Sequence, residues 1–338
     1  KWIALHDNFK QIELIESKVN TGFSGGNNLG INHIEAKYYL LLNSDTIVRK
    51  GAIENLLRAA SADEHCGLIS PRLEWPDATP QESCFQFHSP ISEFISSSGT
   101  GVITRLLKKY SVPKPIINVN SYCDWTSFAC VLIKAEVFKK IGLMDDEFFM
   151  YFEDMAFCYH ARQSGWSILN VPSAHVVHLR GGSSPVKKQA KLRKRLPRYY
   201  YESRTRCFYL VYGHLGLSLA NIMWTFGFII SLSRSLLSSR YIPNRSASQW
   251  KDIWTNFFNP VKPYIHPDEC KALRDYLYKQ AFLCRRLKSL IILVMMSSIR
   301  KVIFGIKTYL LKRVKMICVV SQVHIIQNCL IILILLKE

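Results

Sequence analysis

The sequence predicts an α/β fold, an open sheet flanked by helices, on two observations. Short apolar runs punctuated by glycine, asparagine and proline alternate with stretches of helical spacing across residues 12–179. Two acidic stations also follow buried-looking runs: Asn43-Ser44-Asp45 closes Tyr38-Tyr39-Leu40-Leu41-Leu42, and Glu153-Asp154 follows Phe148-Phe149-Met150-Tyr151-Phe152. In an open α/β sheet ligands bind at the carboxyl ends of the strands, so carboxylates so placed sit at the ligand rim. One station suits a divalent cation and the other suits a proton acceptor, which together suggest group transfer from a phosphorylated donor.

Each element has its own signal. Residues 12–16 read as a short strand, 21–30 as a loop entering a helix near Asn27, and 38–43 as a buried strand. Residues 52–60 have helical spacing with Ile53, Leu56 and Leu57 on one face; 67–70 read as a strand and 75–78 as a turn. No periodic signal runs through 87–120, which is expected to be a mobile loop over the site. Strand character returns at 129–134, followed by a helix over 135–141 that Gly142 ends. A second helix is expected over 153–164, closed by Gly165. A strand over 166–171 then ends at Pro172, and 174–179 carries His175 and His178.

Composition bounds the rest. The 338 residues make one large domain or two ordinary ones, and 49% are apolar, enough for a sizeable core. A net charge of +19 implies an anionic partner: nucleic acid, acidic lipid or a phosphorylated substrate. No nucleic-acid-binding module is recognisable, which excludes the first. Lys187, Lys188, Lys191, Arg193, Lys194, Arg195 and Arg198 form a one-sign cluster, followed by Tyr199-Tyr200-Tyr201 and the apolar stretch 215–231. That order fits an anionic membrane surface, with 215–231 too short to span and better read as an interfacial or core helix. Residues 240–281 are polar and helix-compatible. Residues 316–336 reach spanning length despite His324, Gln327 and Asn328, and are a candidate membrane segment. Ten scattered cysteines with no CxxC pair argue against a zinc site or disulfide framework and for a reducing compartment. The first residues do not resemble a signal peptide.

Four motifs carry chemistry, each with a structural alternative. Asp45 can supply an oxygen ligand to a hard cation or cap a following helix. In the run from Asn20 to Gly30, Gly25 and Gly26 let backbone approach a ligand, and Asn27 and Asn28 can bond a ligand or cap the next helix; an ordinary strand–helix turn looks the same. Glu153 and Asp154 are adjacent carboxyls in an apolar setting, which raises at least one pKa and suits a general base; they also suit an acidic first helical turn. His178 can ligate a metal or touch a diphosphate, whereas His175 reads as structural.

In this order and spacing, the stretches NTGFSGGNNLGI, YYLLLNSDTIV, GLISPRLEWPDATPQ, DWTSFACVLIKAEVFKKIGLMDDEFFMYFED and GWSILNVPSAHVVHLRGGSS resemble family 2 glycosyltransferases of the GT-A fold, especially the rhamnosyltransferase-like branch. The resemblance covers about 18–184. It implies a mixed sheet flanked by helices in 1–185; beyond it, charge and hydropathy give a basic and apolar helical membrane-associating region in 186–240 and a helical tail of uncertain origin in 241–338. It also implies inverting transfer of a sugar from dTDP-rhamnose or a UDP-sugar to a glycan or lipid-linked acceptor of the cell envelope, at the cytoplasmic face of the membrane. Asp45 would bind Mg²⁺ or Mn²⁺ on the nucleotide diphosphate, with His178 completing that site. Asp154 would deprotonate the acceptor hydroxyl with Glu153 in support. Trp125 would wall the sugar and acceptor pocket, and Asn43, Gly25, Gly26, Asn27 and Asn28 would border the donor.

Three departures from the family pattern stand out. The chain opens after the family's first βαβ unit, which holds nucleobase and ribose; a catalytically inactive, membrane-associated remnant is therefore the alternative reading. Ala156 and His160 stand where the family has an Asp and an Arg four positions apart, which implies a lost ion pair. Phe128 replaces a small glycine and is expected to crowd the sugar pocket.

Overall fold

The computed structural model describes residues 12–180, 184–238, 240–243, 245–269, 316–321 and 330–336. The chain divides into two compact units, one of 1–264 with 314–338 and one of 265–313. In the second, the described residues are 265–269, where the His266 ring lies 3.6 Å from the Asp268 carboxylate.

The first unit is the predicted α/β fold. Its first half contains β1 (Ile12–Ser17), α1 (Gly22–His33), β2 (Tyr38–Asn43), β3 (Thr46–Val48), α2 (Ala52–Ala62), β4 (Cys66–Glu74) and β5 (Cys84–Phe85). Then come α3 (Pro90–Ser98), α4 (Gly101–Leu106), β6 (Ser121–Tyr122), β7 (Trp125–Thr126), β8 (Cys130–Lys134) and α5 (Ala135–Ile141). The chain continues through α6 (Glu153–Gln163), β9 (Ser167–His178), α7 (Val186–Lys191), α8 (Arg198–Leu237) and α9 (Gln249–Asp252) to β10 (Met316–Ser321) and β11 (Leu330–Leu336). The main sheet has the order β1-β10-β11-β2-β8-β4-β9-β3, with β6 on β9; β5 and β7 pair separately.

β2 shows why the central strands read as unbroken apolar runs. Tyr38, Leu40 and Leu42 pack on one face with Ala52, Leu56 and Ala60 of α2. Tyr39 and Leu41 pack on the other with Phe23, Val137, Phe138 and Phe157 from α1, α5 and α6. A strand covered on both faces has no polar side to alternate with. β8 is antiparallel to β2 and β4, and β9 is parallel to β4, so β2, β4 and β9 run the same way. Their carboxyl ends (Asn43, Glu74 and His178) therefore share an edge with the amino end of β8. That edge is the predicted ligand rim.

Several expectations need correction. α1 begins at Gly22 rather than near Asn27, so the glycine-rich run is helix rather than loop. Gly22 has φ +73°, and the Phe23 N–H donates to the Phe149 carbonyl at 2.8 Å. Residues 87–120 are not simply a loop: α3 is held by reciprocal Ser89–Ser92 side-chain caps with Pro90 in its first turn, and α4 follows Gly99. β9 runs through Pro172 because the β4–β9 register shifts between Pro71 and Arg72; a bulge tolerates a residue with no N–H. Described residues between 240 and 269 are mainly turns around the four-residue α9, not a long helix.

The candidate membrane segment at 316–336 is also corrected. Residues 316–321 and 330–336 are strands, β10 parallel to β1 and β11 antiparallel to β2, and they stand between β1 and β2 in the sheet. Among the described residues, α8 is instead the one helix long and apolar enough to cross a membrane.

Gly22 generates a stability prediction. A Cβ there would lie 2.0 Å from the Phe149 carbonyl oxygen in a left-handed conformation. Gly22→Ala should destabilise the fold by at least about 2 kcal/mol, from the backbone penalty and the forced displacement together. Urea unfolding of the two proteins checks this.

Candidate active site

The first acidic station is built by a turn between β2 and β3. The Asn43 N–H donates to the Ala129 carbonyl at 2.9 Å, and the Thr46 hydroxyl closes the turn onto the Asn43 carbonyl at 2.6 Å. β3 then pairs with β9 in the register Thr46↔His178, and the Leu179 N–H donates to the Asp45 carbonyl at 2.9 Å. The outcome is an Asp45 carboxylate 3.5 Å from His178 Nε2. Residues 46–48 are strand, so Asp45 does not cap a helix there. His178 is buried, with Nδ1 lacking a hydrogen-bond partner among the described residues. His175 is structural, its Nδ1 2.9 Å from the buried Glu74.

Two cations join this corner. Lys187 is exposed, yet crowding by neighbouring protein atoms lowers its pKa, the Arg180 charge adds to that, and Asp45 opposes both, so the three groups are electrostatic neighbours. Arg180 bonds Gln81, donates to the Glu82 carbonyl at 3.2 Å and lies 5.6 Å over the Trp75 ring. Sequence reasoning placed Lys187 in a membrane-facing cluster and passed over Arg180. The signal available was their position immediately around the His178 motif.

The second station stands at the start of α6. Tyr151 and Phe152 both have left-handed backbone (φ +72° and +67°), an arrangement that costs non-glycine residues energy and aims the first helical turn. The turn is anchored by the Phe149 carbonyl, bonded from α1, and by the Met150 carbonyl, which accepts from the Ser203 hydroxyl at 3.2 Å. The Met155 N–H donates to Asp154 Oδ1 at 2.9 Å. Burial raises the Asp154 pKa to about 6, against the pull of the Met155 N–H, the His88 charge and the Phe128 N–H. Glu153 is raised well above its usual range, by burial first and by Asp154 second, so it holds its proton more firmly. The same edge carries both stations, because Phe128 adjoins Ala129, the residue bonded to Asn43.

Residues 4–201 match the family described as "Glycosyltransferase like family 2". The chain belongs to this family. It is 30% identical over 182 residues to the low-salt glycan biosynthesis hexosyltransferase Agl10 of Haloferax volcanii, covering 53% of this chain and 54% of that one. It is 26% identical over 155 residues to an N-acetylglucosaminyl-diphospho-decaprenol L-rhamnosyltransferase of Mycobacterium tuberculosis, covering 44% and 48%. The chain thus spans about half the length of the curated relatives it matches. Among solved structures, a mannosyltransferase of Pyrobaculum calidifontis in complex with GDP-Man and Mn²⁺ is similar with a TM-score of 0.41 and 12% identity, covering 70% of this chain and 61% of that one.

The other predicted site residues of this chain fall into two groups. Trp125 lies beside the second station, stacked 4.2 Å from Phe85 with its Nε1 donating to the Gln86 carbonyl at 2.8 Å. Gly25, Gly26, Asn27 and Asn28 lie inside α1. A Cβ on Gly25 would meet the Thr21 side chain at 2.6 Å, so its smallness serves the helix's own first turn rather than an approaching ligand. Asn27 donates to the Phe23 carbonyl at 2.9 Å, and Asn28 pairs with both backbone groups of Met144 at 2.7 and 3.1 Å. Asn27 thus serves its own helix, and Asn28 holds the start of the 144–149 segment, which leads into the second station.

Two of the family departures have a visible place in the fold. Phe128 does not crowd the pocket: its ring is buried in the core, edge-on to Phe157 at 5.9 Å. Ala156 is buried beside Met155 and Cys207, and Arg162 of α6 pairs instead with Asp124 outside the helix.

Sequence reasoning missed a third set of residues. The His88 ring lies 6.1 Å from the Trp125 ring and 5.7 Å from the Phe152 ring, and Nδ1 is 3.8 Å from Glu93. Glu93 accepts from Arg204 Nη2 at 2.7 Å, and Arg204 Nη1 donates to Asn221 at 2.8 Å. Burial would raise the Glu93 pKa, but Arg204 and His88 outweigh it and hold it at about 2. A chain of buried polar groups therefore runs from α8 through α3 to the surroundings of Asp154. Nothing in a stretch without periodicity marks His88 for such a place.

Two predictions follow from these charges. If Asp154 must be ionised to act, kcat/KM should fall as pH drops through about 6; removing the His88 cation, which favours ionisation, should move that limb to higher pH. pH–rate profiles of the parent and His88→Ala measure the shift. Arg204→Met leaves Glu93 charged and buried and should destabilise the fold by about 3–5 kcal/mol, which adding Glu93→Gln should partly restore in denaturant unfolding.

Proposed function

We propose that this chain carries out inverting transfer of a sugar, rhamnose or a related hexose, from a nucleotide-diphosphate donor such as dTDP-rhamnose or a UDP-sugar. The acceptor is a hydroxyl on a cell-envelope glycan or lipid-linked sugar, reached from the cytoplasmic face of the membrane. The observation that carries the reading is the Asp154 carboxyl, raised to about 6 at the start of α6, on the same sheet edge as Asp45 and His178. The relatives' names, a hexosyltransferase of glycan biosynthesis and a rhamnosyltransferase of a diphospho-decaprenol sugar, support the substrate classes.

In this mechanism Asp154 accepts the acceptor hydroxyl proton as that oxygen attacks the anomeric carbon. The carbon–oxygen bond to the diphosphate breaks on the opposite face, and its electron pair leaves with the nucleotide diphosphate. Glu153, holding its own proton, keeps the neighbouring position neutral, so a single negative charge faces the reacting hydroxyl. The Trp125 ring bounds the pocket on that side. Lys187 and Arg180 supply positive charge where the diphosphate departs.

The first station fits Mg²⁺ or Mn²⁺. A carboxylate and an imidazole nitrogen 3.5 Å apart can both reach one ion, and an oxygen donor with a neutral histidine is an accepted ligand pair. Asp45 and His178 would hold it, leaving positions for diphosphate oxygens. When bound, the ion would neutralise charge on the departing diphosphate.

Incubation with donor, acceptor and Mn²⁺ should release nucleotide diphosphate. Asp154→Asn should lower kcat by about 10²–10⁴-fold while leaving donor binding intact. Asp45→Ala should abolish the metal-dependent part of UDP or dTDP binding in calorimetry. Full turnover by Asp154→Asn would reject the base assignment.

A further inference from the structure

We propose that the outer face of α8, with the cavity beside it, is the surface on which this protein docks to an anionic phospholipid bilayer. The proposal rests on the reading above only for its membrane location; the surface itself is argued from the fold. Beyond the break in α8 at Gly213 (φ +66°, ψ −172°), the helix has two faces of different use. The inner face, with Leu217, Ala220, Trp224 and Ser231, is buried in the protein. Gly227 lets α3 come close, since a Cβ there would lie 2.1 Å from Ser97 Oγ.

The outer face is an apolar stripe in water. Leu215, Leu219, Ile222, Phe226, Ile229 and Leu236 recur at helical spacing, with Leu215 73%, Phe226 55% and Leu236 81% exposed. No Asp, Glu, Lys or Arg occurs from 207 to 233. A helix facing water on its outer side normally carries charge there, and a contiguous apolar stripe marks a binding face.

Charge stands next to the stripe. Leu232, 36% exposed, lies one turn after Phe228 and one turn before Leu236, and so joins the Phe228 flank of the helix to the stripe. Phe228, Arg193, Ile242, Arg245, Gln249 and Trp250 line a cavity of about 430 Å³. The Arg245 guanidinium lies 4.5 Å from the Phe228 ring, and its Nη1 has no hydrogen-bond partner among the described residues. Ile242 and Trp250 are exposed at the cavity, and Lys191 and Lys194 are exposed on either side of Arg193. Two guanidiniums with an exposed tryptophan and isoleucine, bordering an apolar helix, match the layering of a lipid interface: phosphate at the arginines, acyl chain at the stripe.

The same geometry decides between lying on a membrane and crossing it. Asn221, on the inner face, bonds Arg204 at 2.8 Å and the Ile253 carbonyl at 3.1 Å. A helix with that face committed to buried polar partners cannot be surrounded by lipid, so α8 lies along the interface.

The test is co-sedimentation of the full chain with phosphatidylcholine vesicles, with and without phosphatidylglycerol. Binding is expected to the anionic vesicles and to be roughly 10-fold weaker or more for Arg193→Ala/Arg245→Ala, since each basic group near the surface contributes. Ile222→Glu/Phe226→Glu should lose binding to the same vesicles. Calorimetric binding of UDP or dTDP with Mn²⁺ should be unchanged in both variants, which separates this surface from the catalytic reading and checks folding. Three results would overturn the proposal: equal binding to neutral vesicles, wild-type vesicle binding by the arginine pair, or a Glu pair that only converts a dimer to a monomer. The last would identify the stripe as a contact between copies. Should the Glu pair fail to fold, the arginine pair still decides.

Discussion

The structure turns on two consecutive residues, Tyr151 and Phe152, held in left-handed backbone ahead of α6. Such conformations cost non-glycine residues about 1–3 kcal/mol each and persist where surrounding contacts over-determine them. Those contacts arrive from distant parts of the chain. α1 delivers the Phe23 N–H to Phe149, Asn28 fixes Met144, and Ser203 of α8 caps Met150. Arg206 pairs with Asp145 at 2.7 Å in the same segment. The segment 144–152 is thus gripped from both sides, and what it positions is one carboxylate. Loss of any grip would release strain before it disturbed the core.

Electrostatics complements that constraint. A chain of net charge +19 places two adjacent carboxyls, Glu153 and Asp154, where burial rather than cations governs them. Glu93, equally buried, goes the other way because Arg204 and His88 face it. Neighbouring acids with opposite shifts are the means by which one pocket keeps a proton on one group and none on another. At the other end of the edge, Arg180 and Lys187 add positive charge near Asp45. The sheet edge is polarised, with cations gathered around Asp45 and buried carboxyls around Asp154.

Much of this was legible in the residues. β2, β8, α2, α5 and α6 follow from local signals: an apolar run, a helical stripe, a terminating Gly142 or Gly165. The pairing of Asp45 with His178 was readable only through family resemblance, because the register Thr46↔His178 joins residues far apart in sequence. α3 was missed although Ser89-Pro90 is a helix start, since its apolar positions are few and its packing partner is the remote α8. Residues 316–336 illustrate the limit of periodicity: a long apolar run carries no period that separates strand from helix, and only its neighbours β1 and β2 decide. Asn27 and Asn28 show the converse, where residues suited to a ligand are used by the fold: Asn27 bonds its own helix at Phe23, and Asn28 ties the Met144 loop to it.

α8 connects these themes. Before Gly213 it faces the site, supplying Ser203, Arg204 and Cys207 around α6; after Gly213 its inner face carries α3 and its outer face is apolar. The break lets one helix meet two different directions. Glu93 then links the halves, because it sits on α3, which the second half carries, yet bonds Arg204 of the first. Any displacement of the outer half is therefore transmitted to Glu93 and His88 through a buried ion pair, which resists separation far more than an exposed one. On the proposed reading, packing rather than a flexible linker sets the distance between the outer face of α8 and Asp154.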